Sequence, residues 1–289
     1  MRQLAATGRQ IQALIRPVST HKRQTDIAVK WVDGDLDDID SLRRLVRGAN
    51  NIVHCAGAVR GSSQAQFNRI NVDGVARLVQ AATEQSPAPH FILISSLAAR
   101  EPHLSPYAAS KRQGEKVLAG QSGKLRWTVF RPTAVYGPGD RELLPVFRWI
   151  ERGIAPILGS GNGRFSMLFV KDLADAVLKS LEHGGCHAET FELHDGHPGG
   201  YSWYDVIEAV KQLRAGPVVR LKIPVILAKT LSTLNLILAQ IVGYAPMLTP
   251  GKVRELQHSD WVCDNTALSI ATGWTPQILL PEGLRRTLG

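Results

Sequence analysis

The sequence predicts an α/β protein: a doubly wound parallel sheet with a smaller, mostly helical C-terminal region. Three observations carry this. Strand-like and helix-like stretches alternate from the start to about residue 185, the pattern of a parallel sheet covered by helices on both faces. From Tyr201 onward the chain turns mostly helical, punctuated at Gly216-Pro217, Pro246 and Pro250-Gly251. A chain of 289 residues is long enough for one large α/β domain and an appended smaller one. The division is expected near residue 160. Residues 1–160 make the sheet domain and 161–289 the smaller one, with about 165–195 returning to the sheet.

The elements follow in order. Strands are expected at Gln10–Ile15, Ala28–Val32, Asn51–Cys55, Phe91–Ser95 and Trp127–Phe130, from their apolar, β-branched or aromatic runs. Helices open near Ile39, Ala65 and Pro106. A later strand at Phe165–Val170 leads to a helix opening at Asp172, which is expected to cap it, and Thr190–His194 is a further short strand. Leu227, Leu231, Leu234, Leu238 and Ile241 recur at steps of four and three, an amphipathic helix expected to pack within the smaller domain. Lys229, Asn235 and Gln240 make that stretch too polar for a comfortable membrane span, and a peripheral contact with a membrane surface is the lesser alternative.

The beginning departs from the pattern. A dinucleotide-binding sheet opens with an apolar strand and a Gly-x-x-Gly-x-x-Gly turn, whose following helix offers its amides and dipole to a pyrophosphate. Here the first glycine is Gly8, and Met1–Gly8 reads as the end of that helix with its C-terminal glycine. The first strand and glycine-rich turn are therefore expected to be missing, roughly 20 residues of a unit that normally takes ~30 or more. A misplaced start is the favoured reading, a degenerate relative the other. The chain as it stands is expected to hold such a cofactor weakly.

Composition excludes several classes. Hydrophobic content of 44% with 20% charged residues is ordinary for a soluble globular protein. Cys55, Cys186 and Cys263 are scattered, which suits a reducing, cytoplasmic setting rather than a disulfide framework. The net charge of +9 comes from dispersed basic pairs, not from a basic stripe with interleaved aromatics, so an anionic cofactor or substrate, or simply a solvated basic surface, is expected rather than nucleic acid. His183, Cys186, His187, His194 and His197 lack a standard ligand spacing, and no metal is expected.

The chemistry concentrates in Tyr107-Ala-Ala-Ser-Lys111. On a helix, positions i and i+4 share a face, so Lys111 is expected beside the Tyr107 hydroxyl. A fixed ammonium there lowers a phenol pKa of about 10 toward the range of a useful base. Eleven residues upstream, the apolar run from Phe91 ends in Ser95-Ser96, and twenty residues downstream a second run from Trp127 leads into Arg131-Pro132. Ordered in this way, Ser96, Tyr107 and Lys111 resemble the Ser-Tyr-Lys set of the extended short-chain dehydrogenase/reductase superfamily. The resemblance extends through Gly34-Asp35-Leu36, Val53-His-Cys-Ala-Gly57, Asn71-Val-Asp-Gly74, Val135-Tyr-Gly-Pro138 and Val170-Lys-Asp-Leu-Ala-Asp175.

The resemblance implies a Rossmann-like domain and gives roles to residues. Tyr107 is the acid/base, Lys111 also binds the nicotinamide ribose, and Ser96 holds the substrate oxygen, with Ser95 as the alternative. Asp35 and Leu36 border the adenine. Ala56 and Gly57 let the backbone approach the cofactor, Asn71 stands behind it, and Pro132 and Val135 line the nicotinamide pocket. Arg16, at the end of the second expected strand, takes the place of the acidic residue found in relatives that prefer NAD, so NADP is expected ahead of NAD. The expected function is NAD(P)-dependent oxidation or reduction of a secondary alcohol or ketone, similar to 3β-hydroxysteroid dehydrogenases. The small-molecule substrate is expected to be lipid- or isoprenoid-like, with the apolar helix after Pro224 lining its pocket. The alternatives are a nucleotide-sugar epimerase/dehydratase and a non-catalytic nucleotide-binding assembly protein. Homodimerisation is left open.

Overall fold

The computed structural model describes residues 1–183, 186–213 and 216–289. Helix α1 (Arg2–Ala6) is stopped by Gly8 in the left-handed region at φ +74°, as the sequence suggests. There follow β1 (Gln12–Ile15), β2 (Lys30–Asp33), α2 (Ile39–Val46), β3 (Asn51–His54) and α3 (Gln64–Asn68). A π-turn over Arg69–Asp73 joins α3 to α4 (Gly74–Thr83). Next come β4 (His90–Ile94), α5 (Pro106–Gln121), β5 (Arg126–Pro132), β6 (Ala134–Tyr136), α6 (Leu144–Glu151) and β7 (Ile154–Leu158). The remainder is β8 (Arg164–Phe165), β9 (Met167–Phe169), α7 (Val170–His183), β10 (Glu189–Leu193), α8 (Trp203–Lys211), β11 (Val219–Ile223), α9 (Val225–Val242), α10 (Pro250–Gln257), β12 (Asp260–Trp261), α11 (Thr266–Thr272) and α12 (Leu280–Leu288).

The central sheet runs β10-β5-β4-β3, all parallel, and β1-β2 form a second parallel pair. Among the described residues β1 and β3 each have one ladder partner and no ladder joins them. Two cores flank the central sheet. On one face Phe91, Leu93 and Val129 pack with Leu42, Leu78, Val79 and Leu118 from the helices. On the other, Ile92, Phe130 and Phe191 meet Ala176, Leu268 and Trp274. Alternation along β4 sends successive side chains to opposite faces, so a continuous apolar run serves both cores. Each large side chain buried this way contributes ~1.5–3 kcal/mol. A third core gathers Tyr136, Phe147 and Ile157 with Tyr201, Val206 and Leu284, drawing on both sides of residue 160.

Three local expectations change. The strand expected at Phe165–Val170 is divided at Ser166: β8 pairs with β12, β9 pairs with β6, and α7 already begins at Val170. Asp172 does not cap its own helix. It is buried at 1% exposure, and its carboxylate accepts from the amides of Gln277 (3.1 Å) and Ile278 (2.9 Å), tying the C-terminal segment to α7. The pairing of β7 with β11 had no clear local signal, because β11 is a short run of alternating cationic and aliphatic residues within a helical region.

The largest correction concerns α9. Leu227, Leu231, Leu234, Leu238 and Ile241 do not pack inward; they are 49%, 49%, 59%, 52% and 77% exposed. The stripe that meets the protein is Ala228, Ser232, Asn235 and Ala239. Small side chains let the helix backbone come close, and Asn235 donates to the Leu248 carbonyl at 2.8 Å. The apolar period was read correctly and assigned to the wrong face.

Candidate active site

The carboxyl ends of β3, β4 and β5 lie side by side, and the residues that follow them form the site, as expected where parallel strands end. After β4, Ser96 caps a 3-10 turn, its hydroxyl accepting from the Ala98 amide at 3.2 Å. Ser105 caps α5 in the same way, accepting from Ala108 at 3.0 Å, with Pro106 at the first helical position. Tyr107 therefore stands in the first turn of α5, and Lys111 one turn later.

Burial raises the Tyr107 phenol to about 12; a hydrogen bond from Ser96 works in the opposite direction, and the Glu255 carboxylate adds to the rise. The expected lowering by Lys111 is not what the structure gives. The Lys111 ammonium is buried and turned toward the sheet, donating to the Ile94 carbonyl at 2.9 Å. Burial lowers Lys111 itself to about 8. Beside it, His54 is held neutral, first by burial and then by the Lys111 charge, and falls to about 3.

The two serines part company. Ser95 is buried and its hydroxyl donates to Glu115 at 2.6 Å, which leaves Ser96 as the one that meets Tyr107. Glu115 is itself held by Arg131 through two hydrogen bonds of 2.9 and 2.6 Å. Arg131 lies 3.8 Å from Glu192, and Glu192 lies 3.6 Å from Arg100. Arg100 in turn donates to the carbonyls of Val262 and Asp260 at 2.9 and 2.8 Å. An ion-pair chain, buried at Glu115 and half-buried at Glu192 and Arg100, thus runs from behind the serines to the C-terminal region. Sequence reasoning missed it, although Glu115 sits four residues beyond Lys111 and eight beyond Tyr107, on the same helical face.

Asn71 sits in the π-turn with both ends engaged. Its carbonyl accepts from the Ala58 amide at 2.8 Å, and its amide donates to the Ala58 carbonyl at 3.0 Å and to Ser110 at 2.9 Å. It positions the loop after β3 against α5. Within that loop Ala56 and Gly57 are exposed, and a Cβ on Gly57 would come within 3.2 Å of the Lys111 ammonium and 3.3 Å of Asn71. At Gly114 a Cβ would lie 2.3 Å from the Asn71 carbonyl oxygen, so α5 can abut the π-turn only because that position lacks a side chain.

Other expected residues are more dispersed. Pro132 is buried at the end of β5, in register with Leu193, and Val135 is half-buried in β6. Asp35 follows β2 and caps the Asp37 amide at 3.2 Å, while Arg16 is exposed after β1. The Leu36 side chain packs into the core beneath Gly74. Glu255 is the second residue that sequence reasoning missed. It is buried, accepts from the Ser105 hydroxyl and from Lys252 at 2.9 Å, and so joins α10 to the start of α5.

A family model described as the NAD dependent epimerase/dehydratase family matches residues 1–193. The chain belongs to this family. As a member of the NAD dependent epimerase/dehydratase family, and so of the extended short-chain dehydrogenase/reductases, it is an enzyme of the oxidoreductase–epimerase class that uses a nicotinamide dinucleotide. It is 35% identical to a ceramide reductase of Caulobacter vibrioides over all of this chain and 88% of that protein. It is 26% identical to 3beta-hydroxysteroid-dehydrogenase/decarboxylase isoform 2 of Arabidopsis thaliana, covering 90% of this chain and 51% of that one. The fold is shared with MoeE5 in complex with UDP-glucuronic acid and NAD, at 18% identity and a TM-score of 0.76 over 99% of this chain and 92% of that one. The residues that could hold a dinucleotide are the exposed small pair Ala56–Gly57 beside Lys111, with Asp35 at the turn after β2.

Proposed function

We propose that the protein is a reductase acting on a ketone of a long-chain, lipid-like molecule, with NADP(H) as the preferred cofactor. The observation that carries the reading is the Tyr107–Ser96 pair, with the phenol buried and held protonated. Raised by burial, the phenol is protonated at neutral pH, the form from which Tyr107 would give a proton to a carbonyl oxygen under reduction. The bound dinucleotide would supply the hydride to the carbonyl carbon. Ser96 would hold the carbonyl oxygen, and Tyr107 would give its proton to that oxygen as charge develops there. Lys111 would keep a positive charge close by without leaving the sheet.

The substrate class rests on Arg164. The resemblance to nucleotide-sugar enzymes implies an arginine where this chain has Phe165, and the neighbouring Arg164 is already committed. It donates to the carbonyls of Gly199 and Gly200 at 2.9 and 2.6 Å and meets Asp205 at 3.2 Å. A sugar pyrophosphate would have to displace it. Similarity to the ceramide reductase supports the lipid reading. Exposed Arg16 supports NADP, while Arg23 is paired with Asp33 at 2.5 Å. The test is turnover of long-chain ketones against UDP-sugars with either cofactor. Faster conversion of a UDP-sugar than of any ketone would overturn the substrate assignment.

A further inference from the structure

Helix α9 is built inside out. Its 18 residues have a mean hydropathy of 1.7, yet 17% of the helix is buried. The face against the protein is the small or polar stripe Ala228, Ser232, Asn235 and Ala239, while Ile226, Leu234, Ile241 and Val242 point outward at 79%, 59%, 77% and 66% exposure. Apolar side chains are exposed on the β7–β11 strand pair as well. Val219 and Leu221 of β11 are 66% and 53% exposed, and Ile154 of β7, in register with Val219, is 51% exposed. An apolar face of this extent on a soluble chain marks something that covers it.

Charge identifies the covering. No carboxylate occurs between Glu208 and Glu255, whereas Arg220, Lys222 and Lys229 fall in this stretch, all exposed. Basic residues beside an aliphatic face match an anionic phospholipid surface, where headgroups meet the cations and acyl chains meet the leucines. The helix is about 27 Å long and cannot cross the bilayer while its flanks stay folded. Before it, β11 is paired with β7, and after it α10 packs on the start of α5. We infer that α9, with the outer side of β11, docks the protein on an anionic bilayer, the helix lying in the plane of the interface. Gln240 of α9 donates to the Ser62 carbonyl at 3.3 Å, so the C-terminal end of the helix rests against the loop that follows β3. The inference stands on burial and charge, independently of the catalytic reading.

Flotation of the purified chain with phosphatidylcholine vesicles, with and without phosphatidylglycerol, tests it. Binding is expected to phosphatidylglycerol vesicles, to weaken with salt, and to be lost in the double variant Ile226→Glu/Ile241→Glu. Lys222→Gln and Lys229→Gln should each weaken it roughly fivefold. These positions are exposed, so the far-UV circular dichroism and thermal unfolding of each variant should match wild type, which reports folding without reference to catalysis and keeps failure of docking distinct from failure of the catalytic reading. Absence of wild-type flotation, or flotation that survives the double variant, overturns the inference. So does a solution dimer that the double variant splits while vesicles bind neither form, since the face would then be covered by a second copy.

Discussion

Helices α5 and α9 are near opposites. In α5 the sequence is polar, and the structure buries Ser110, Lys111 and Glu115 at 0%, 8% and 6% exposure. In α9 the sequence is apolar, and the structure leaves its leucines in the open. Each buried group of α5 has a fixed partner: Ser110 accepts from Asn71, Lys111 donates to Ile94, and Glu115 is clasped by Arg131. Burial of polar groups costs little when each is satisfied and a great deal when one partner goes. The difference teaches that α5 is held by specific bonds, and that α9 has a surface still awaiting its own.

The comparison can be broken from the α5 side with the largest effects. Tyr107→Phe should lower turnover by ~10²–10⁴ while leaving cofactor affinity nearly intact, since only the proton donor is lost. A variant keeping more than about a tenth of the wild-type rate would remove Tyr107 from the mechanism. Glu115→Ala should destabilise the fold by ~3–5 kcal/mol, because Arg131 is left buried with only Glu192, more distant, to face. Urea unfolding measures it, and a loss below about 1 kcal/mol would show that the chain from Ser95 to Arg100 is not structural.

Lys111 gives a pH signature. Its folded value of about 8 lies below the free value of 10.5, so the unfolded chain binds this proton more tightly. Stability from this group is therefore complete above 10.5 and lost as pH falls through 8. The stability of Lys111→Met relative to wild type should shift in the variant's favour by up to ~3 kcal/mol as pH falls through that window, whatever its level above it. A difference between the two proteins that does not vary with pH would mean the lysine is not strained by burial. Next in size, Arg16→Asp should weaken NADP more than NAD by ~1.5–3 kcal/mol, read by titrating both cofactors. Equal losses would make Arg16 an ordinary surface residue. At the small end, Leu234→Ser in α9 should change stability in solution by no more than ~0.5 kcal/mol. A loss of several would mean its face is covered in solution too.

The sequence made the central sheet legible because its strands are continuous apolar runs, and the pair at Tyr107 and Lys111 because helical spacing is local. The motif favours Ser96 over Ser95, and in the structure Ser95 is engaged by Glu115. What stayed hidden depends on partners distant along the chain. Arg131 reads as part of a motif until Glu115 is seen beside it, and Glu255 is one glutamate among many until α10 meets Ser105. Periodicity located α9 but could not say which face would be covered, since that depends on the surface it meets. The direction of the Lys111 ammonium was hidden for the same reason: the Ile94 carbonyl that draws it belongs to another element.

The contact at Gly114 has a wider consequence. The seat of α5 is gauged by the distance from its own backbone to the carbonyl of Asn71, with no side chain in between. A single methyl at that position would act as a shim, lifting the helix and carrying Tyr107 and Lys111 away from Ser96 and Ile94 together. The alignment of the reacting groups is thus stored at a place that carries no chemistry. Surface changes along α5 can accumulate without disturbing it, whereas the mildest enlargement beneath the helix would put the whole set out of true.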